Sequence, residues 1–323
     1  MTRRQAESPA PQVLVIAGPT GIGKTALTRR LGALLPIEVV NADSRQVYRR
    51  MDIGTAMPTP QDQAVCPHHL FAVREPDQPL TLAEFQVQAV ACIHDIMERR
   101  KVPVLAGGTP LYLRSVTENL QIPEVEPMPA LRKELETKLV RLGPAPLYDR
   151  LRSLDPDTAR ATDPSNGRRI IRALEIFVAT GQSKVALEGR RPPLWRLLQI
   201  GLTCPRPTLH ARIDARVDAM MDSGLLAETD NLLAAGYDPG LPALSALGYR
   251  QLIQFRQGCG SLTEAVDAIK TSTHRYVRHQ YTWFRRMGGI RWYDTSKVGL
   301  DGVARDIHTD FAVARPAETP DAA

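Results

Sequence analysis

Gly18, Pro19, Thr20, Gly21, Ile22, Gly23, Lys24 and Thr25 fit the pattern G-x-x-x-x-G-K-[ST], and residues of these types in this spacing can hold a diphosphate. The glycines let successive backbone N–H groups turn inward without Cβ clashes, and a helix starting at Lys24 would add its positive end. Lys24 would place a point charge on the phosphates, and the Thr25 hydroxyl would be a ligand for magnesium. A second candidate is Asp43, in the run Asn-Ala-Asp-Ser-Arg-Gln-Val-Tyr that starts at Asn41. A carboxylate at the C-terminal end of a parallel strand faces the ligand crevice. It could take a proton there, sit in the second shell of a magnesium ion, or cap a helix. Arg212 and Arg216 stand four apart on one expected helix face and suit an anion, although Asp214 and Asp218 are near enough to pair with them.

These side chains need a scaffold that brings distant turns together. Residues 13–17 (VLVIA) form an apolar run between Pro11 and Gly18, which predicts a buried strand. A helix is expected from Lys24 to about Leu35, stopped by Pro36, followed by a strand at 37–42. A long helix over 81–101, with Leu82, Phe85, Ala89 and Ile93 at helical spacing, leads to a strand at 102–106 and then Gly107-Gly108. That alternation is the rhythm of an α/β parallel sheet. From about Ile122 the texture changes. A linker with Pro123, Pro127 and Pro129 opens a charged region without strand signals, where helices are expected at 129–142, 145–154 and 166–180, the last ended by Gly181. A strand at 197–204 and helices at 208–221, 225–235 and 261–287 resume the core. The expected division is therefore a core over 11–122 and 197–314, an all-helical insertion over 123–196, and flexible tails at 1–10 and 315–323.

Composition narrows the class. Lys and Arg total 41 against 35 for Asp and Glu, a mild excess whose distribution matters more than its size. Residues 268–293 hold Lys270, Arg275, Arg278, Arg285, Arg286 and Arg291, no acid, and interleaved aromatics, a pattern that suits a phosphate backbone. Within it Tyr276, Gln280, Trp283 and Met287 read as the core stripe, and His274, Arg278, Tyr281 and Arg285 as its neighbour. Four scattered cysteines form no disulfide framework or zinc signature, which points to a reducing compartment. Cys66 with His68 and His69 reads as a loop with satisfied imidazoles rather than a metal site. No apolar run approaches a membrane span, residues 1–10 lack the apolar segment of a signal peptide, and a cytoplasmic protein is expected.

Taken in order, GPTGIGKT, NADSRQVYRRMDIGTA, PHHL, GGTPLYL, RRIIRALEIF, LGYRQL and YTWFRR resemble the bacterial tRNA dimethylallyltransferases from Gly18 to about Tyr293. The resemblance implies a P-loop NTPase-like core with a helical subdomain inserted. It implies a monomer that, with magnesium, moves a dimethylallyl group from dimethylallyl diphosphate to the exocyclic amine of the adenosine 3′ of the anticodon in a tRNA stem-loop. In that frame Asp43 is the base and Arg216 a second cation on the diphosphate. Contacts with tRNA fall to Asp43, Ser44, Arg45, Gln46, Thr109, Arg132, Arg168, Arg169, Ile170, Ile171, Arg172, Gly248, Tyr249, Arg250, Arg278 and Arg285. The chain departs from the family's pattern at Met57 (usually lysine), Arg45 (commonly methionine), Pro110 (usually glycine) and His279 (commonly arginine). From the residues alone, a P-loop small-molecule kinase or a nucleotide-switched RNA-binding module would also use the loop.

Overall fold

The computed structural model describes residues 12–126 and 128–314. The expected tails and Pro127 lie outside them. Residues 13–16 are wholly buried in β1 (Gln12–Ala17), as a strand covered on both faces requires. Each such Val, Leu or Ile contributes about 1.5–3 kcal/mol by leaving water. α1 (Lys24–Gly32) stops short of the expected Leu35, because the N–H groups of Leu34 and Leu35 both turn back to the carbonyl of Leu31. After β2 (Ile37–Asn41), the short α2 (Asp52–Thr55), α3 (Pro60–Val65) and β3 (His68–His69) lead to α4 (Leu82–Glu98). Thr81 and Glu84 close a capping box at the start of α4. β4 (Val102–Gly107) and α5 (Pro110–Thr117) follow.

The chain then forms β5 (Leu120–Gln121), α6 (Pro129–Leu142), α7 (Ala145–Leu154), α8 (Pro156–Ala161), α9 (Gly167–Thr180), α10 (Lys184–Leu187) and β6 (Gly189–Arg190). It continues through β7 (Arg196–Thr203), α11 (Arg206–Asp222), α12 (Leu225–Ala234), a 3-10 turn at Ala243–Ser245 and α13 (Tyr249–Arg256). It ends with α14 (Leu262–Phe284), β8 (Ile290–Asp294) and α15 (Gly299–Ala314). The last strand and helix were not anticipated: the charge pattern drew residues 290–293 into the basic stretch, whereas they add an edge strand to the sheet.

Two compact units result, one spanning Glu118–Pro193 and the other made by the chain on either side of it. The smaller begins five residues before the expected 123 and ends at Pro193 rather than 196. It has its own core, including Leu135, Leu151, Ile170 and Leu174. The expectation of no strand there is corrected by the antiparallel pair β5 and β6, too short to leave a sequence signal.

In the larger unit six strands pair in the order β3-β2-β4-β1-β7-β8, parallel throughout. Register is what aims the site. Ala17 lies opposite Gly107, and Asn41 opposite Ala106, so the turns after β1, β2 and β4 leave one sheet edge at nearly the same level. The core stripe of α14 is Ile269, Thr273, Val277, Gln280 and Phe284, not the expected Tyr276, Gln280, Trp283 and Met287. Only Gln280 and Met287 of the expected set are buried, and Tyr276 turns towards a cavity instead.

Candidate active site

Gly23 has φ 105°, a conformation only glycine adopts without strain, and it is the N-cap of α1. The phosphate loop therefore swings into the helix and leaves its first N–H groups for a ligand. Lys24 lies back along this loop, its Nζ donating to the carbonyls of Gly18 at 2.9 Å and Pro19 at 3.1 Å. Burial pulls its ammonium down to about 8, opposed by Asp43 and reinforced by Arg216. Thr25 lines a cavity of about 450 Å³ with Lys24, Arg212 and Arg216.

Asp43 is held at both ends of its peptide. Its N–H donates to Asn41 Oδ1 at 2.8 Å, and its carbonyl accepts from Asn41 Nδ2 at 3.1 Å. Asn41 is fully buried and also donates to the carbonyl of Leu70 at 3.0 Å. One carboxylate oxygen, Oδ1, accepts from the N–H of Arg45 at 2.9 Å, an Asx turn rather than a helix cap. The other oxygen is turned to the phosphate side. A Cβ built on Gly108 would sit 3.2 Å from Asp43 Oδ2 and 3.7 Å from Lys24 Nζ, so glycine is what allows these groups to converge. Thr109 supports the same turn: its N–H donates to the carbonyl of Ala42 at 3.1 Å and its hydroxyl accepts from the N–H of Ser44 at 2.9 Å.

Arg216 faces the cavities rather than the flanking acids. Asp214 pairs with His274 at 2.8 Å and Asp218 with Lys270 at 2.6 Å, both on α14, which leaves the arginine directed inward. Burial lowers its affinity for a proton and Asp43 partly restores it. A second cavity of about 430 Å³ lies on the far side of Asp43, walled by Arg216, Tyr276 and an apolar floor including Ile213, Val217 and Ile269. The two share Thr20, Asp43, Thr55 and Arg216. One chamber holds the phosphate loop with Lys24 and Arg212, the other has an apolar floor with Arg45 and Arg250 on its walls, and Asp43 and Arg216 stand at the divide. That arrangement suits an anionic leaving group on one side and a flat, polar-edged acceptor on the other.

A family model described as IPP transferase matches residues 46–287. The chain belongs to this family. It is 48% identical over 287 residues to the tRNA dimethylallyltransferase of Thermomicrobium roseum, covering 89% of this chain and 87% of the relative. To that of Roseiflexus castenholzii it is 49% identical, covering 86% and 91%. Its fold is similar to the crystal structure of a tRNA isopentenylpyrophosphate transferase from Bacillus halodurans, with TM-score 0.71, 36% identity and coverage of 94% and 96%. A eukaryotic dimethylallyltransferase acting on tRNA superposes with TM-score 0.79 at 26% identity, covering 97% of this chain and 82% of that one.

The other residues that the IPP transferase resemblance singled out fall into two groups. Ser44, Arg45, Gly248 and Arg250 line the apolar cavity with Asp43. Arg45 spans its lip, donating to the carbonyl of Pro242 at 2.6 Å and to Ser245 Oγ at 3.3 Å. Gln46 is spent locally on the carbonyls of Thr55 and Ala56. Tyr249 is corrected: it is wholly buried and its hydroxyl donates to Glu228 at 2.6 Å, so it supports the wall and cannot touch RNA. Glu228 also accepts from the N–H groups of Asp52, Ile53 and Gly54, anchoring the MDIGTA turn through a carboxylate that no motif disclosed.

In the smaller unit Ile170 and Ile171 are core residues, 0% and 4% exposed, and are corrected as contacts. Arg132 and Arg172 are partly exposed and share one buried partner. Arg132 holds the buried carboxylate of Glu175 through two bonds of 2.9 and 2.5 Å, and Arg172 lies 3.6 Å from it. One carboxylate offsets only one of the two guanidiniums, so the trio keeps a net positive charge. Arg168 and Arg169 are exposed. The acid-free stretch over 268–293 is partly neutralised from outside, since Lys270 on α14 pairs with Asp218 and Arg291 on β8 with Asp310. Among the described residues no ion pair reaches the exposed Arg275, Arg278, Arg285 or Arg286. The imidazoles of His68 and His69 are satisfied by the carbonyl of Cys66 and by Glu38.

The lowered Lys24 sets a pH dependence. An organic diphosphate is almost fully ionised above about pH 7, so with such a ligand mainly the protein's charge would change. Bound diphosphate favours the ammonium, and the free protein loses it as pH rises through about 8. KM for the diphosphate is expected to rise above pH 8, by up to about tenfold per pH unit. A KM flat from pH 7.5 to 9.5 in initial-rate assays would remove Lys24 as the titrating contact.

Proposed function

We propose that this chain transfers a dimethylallyl group from dimethylallyl diphosphate to the exocyclic amine of an adenosine next to the anticodon of tRNA, acting as a cytoplasmic monomer. The observation that carries the reading is the split carboxylate of Asp43, a residue that lines both chambers: Oδ1 is fixed by the N–H of Arg45, and Oδ2 lies beside Gly108 on the side of Lys24. The allylic carbon–oxygen bond breaks and pyrophosphate leaves with the electron pair. The adenine amine attacks that carbon and passes its proton to Asp43. Such an amine is a poor nucleophile, because its lone pair is delocalised into the ring, and a carboxylate in reach relieves the charge as it forms. Lys24, Arg216 and the loop N–H groups neutralise the departing pyrophosphate.

The site fits magnesium in a particular way. Among the described residues no cluster of three His, Cys, Asp or Glu could hold a metal ion. Thr25 offers one hydroxyl at the phosphate chamber, so the diphosphate and water would complete the shell, as magnesium prefers. When bound, the ion would offset charge on the leaving group. For the adenine to reach Asp43 it must leave the stack, which is least costly from a single-stranded loop. Among the described residues no helix is long and apolar enough to cross a membrane.

The test is to incubate the protein with bulk tRNA and dimethylallyl diphosphate, digest to nucleosides, and look for one added isopentenyl unit on adenosine. Its absence, together with ATP-dependent phosphorylation of a metabolite, would reverse the assignment to a kinase. Arg278→Ala should weaken tRNA binding at all sequences and reduce the slope of log affinity against log salt by about one. An unaltered slope removes Arg278 from the interface.

A further inference from the structure

Gln280 is 2% exposed on α14, in a core stripe otherwise made of Ile269, Thr273, Val277 and Phe284. A buried amide needs partners, and this one has two, each in the active site. Its Oε1 accepts from the N–H of Thr20, in the phosphate loop, at 3.1 Å. Its Nε2 donates to the carbonyl of Gly108, in the turn after β4, at 2.6 Å. The two bonds fix which end of the amide is which. A Cβ on Gly108 would lie 2.7 Å from Gln280 Nε2 as well as 3.2 Å from Asp43 Oδ2, so amide, carboxylate and lysine meet around one glycine.

The outer side of the same helix carries the exposed Arg275 and Arg278. Arg278 lies two residues before the amide, and α14 is a single uninterrupted helix of 23 residues. Its inner face grips the phosphate loop and the turn beside Asp43, and its outer face presents charge to solvent.

We infer that Gln280 is a positioning residue that locks the phosphate loop to the Asp43 turn and couples RNA docking on α14 to alignment of the diphosphate. The inference rests on the transferase reading above. With Thr20 N–H taken by Gln280, that donor is withheld from the ligand, and the remaining loop N–H groups and Lys24 hold the diphosphate. Seating RNA on the arginine face presses the helix, and through one side chain the loop, into the geometry for transfer.

Gln280→Met keeps length and volume but removes both bonds. The expected result is a kcat lower by about 10- to 100-fold, with the dissociation constant for an anticodon stem-loop RNA within about twofold of the parent. Inorganic pyrophosphate should bind the parent more tightly when the stem-loop is present, and this gain should vanish in the variant. A merely structural role would not abolish that coupling while RNA affinity is kept. Should Gln280→Met fail to fold, Gln280→Glu keeps an acceptor for the N–H of Thr20 but loses the donor to the carbonyl of Gly108, and is expected to give the same loss of coupling. A variant that keeps the parent's kcat and coupling overturns the inference. A parent protein that transfers no dimethylallyl group to the stem-loop overturns the proposed function instead.

Discussion

Asp43→Asn is expected to lower the transfer rate by about 100- to 10,000-fold while tRNA still binds. The substitution is selective because the carboxylate works at two ends. Oδ1 accepts from the N–H of Arg45, and an asparagine carbonyl oxygen can do the same, so the turn and the Asn41 contacts survive. Oδ2 would become an amide that accepts no proton. Single-turnover assays with labelled dimethylallyl diphosphate, alongside filter binding of tRNA, measure the two effects separately. Weakened tRNA binding with an unchanged rate would sink the base assignment.

Lys24→Met is expected to cost about 100- to 1,000-fold in kcat/KM for dimethylallyl diphosphate, since it deletes a preorganised positive charge where pyrophosphate departs. Its effect on stability has the opposite sign. Lys24 binds its proton less readily in the folded chain than in the unfolded one, which makes the buried ammonium a destabilising group below about pH 8. Between about 8 and 10.5 the unfolded chain holds more protons, so the ligand-free parent should gain stability as pH rises. At pH 7 the methionine variant should therefore melt at or above the parent's temperature while activity collapses. A variant that melts lower and retains kcat/KM would show that Lys24 serves the fold instead.

The phosphate loop was legible because its chemistry is local: glycine spacing, the following lysine and threonine, and a strand before them. The same holds for α6 and α7, whose bounds at Pro129, Leu142, Ala145 and Leu154 follow from prolines and helical periodicity. What escaped depends on partners far along the chain. Gln280 meets Thr20 across 260 positions and Gly108 across 172, and no periodicity marks such a pair. Arg132 and Arg172 share the buried carboxylate of Glu175, a partner that their basic sequence neighbourhood does not mark. Ile170 and Ile171, carried along with their arginine neighbours, are held by the hydrophobic periodicity of α9. Tyr276 was misassigned because one residue of phase separates a helix's core stripe from its cavity face.

Thr20, Asp43, Thr55 and Arg216 belong to both chambers, so the partition between them includes the carboxylate and one of the cations assigned to the chemistry. Direct transfer across that partition needs the diphosphate in one chamber and the acceptor base in the other. Both must be resident together before any bond changes, which makes the operative species a ternary assembly and gives intersecting rather than parallel reciprocal plots. Pyrophosphate and the lengthened nucleoside must then both leave, and the slower departure, rather than the chemistry, can set the pace of the cycle.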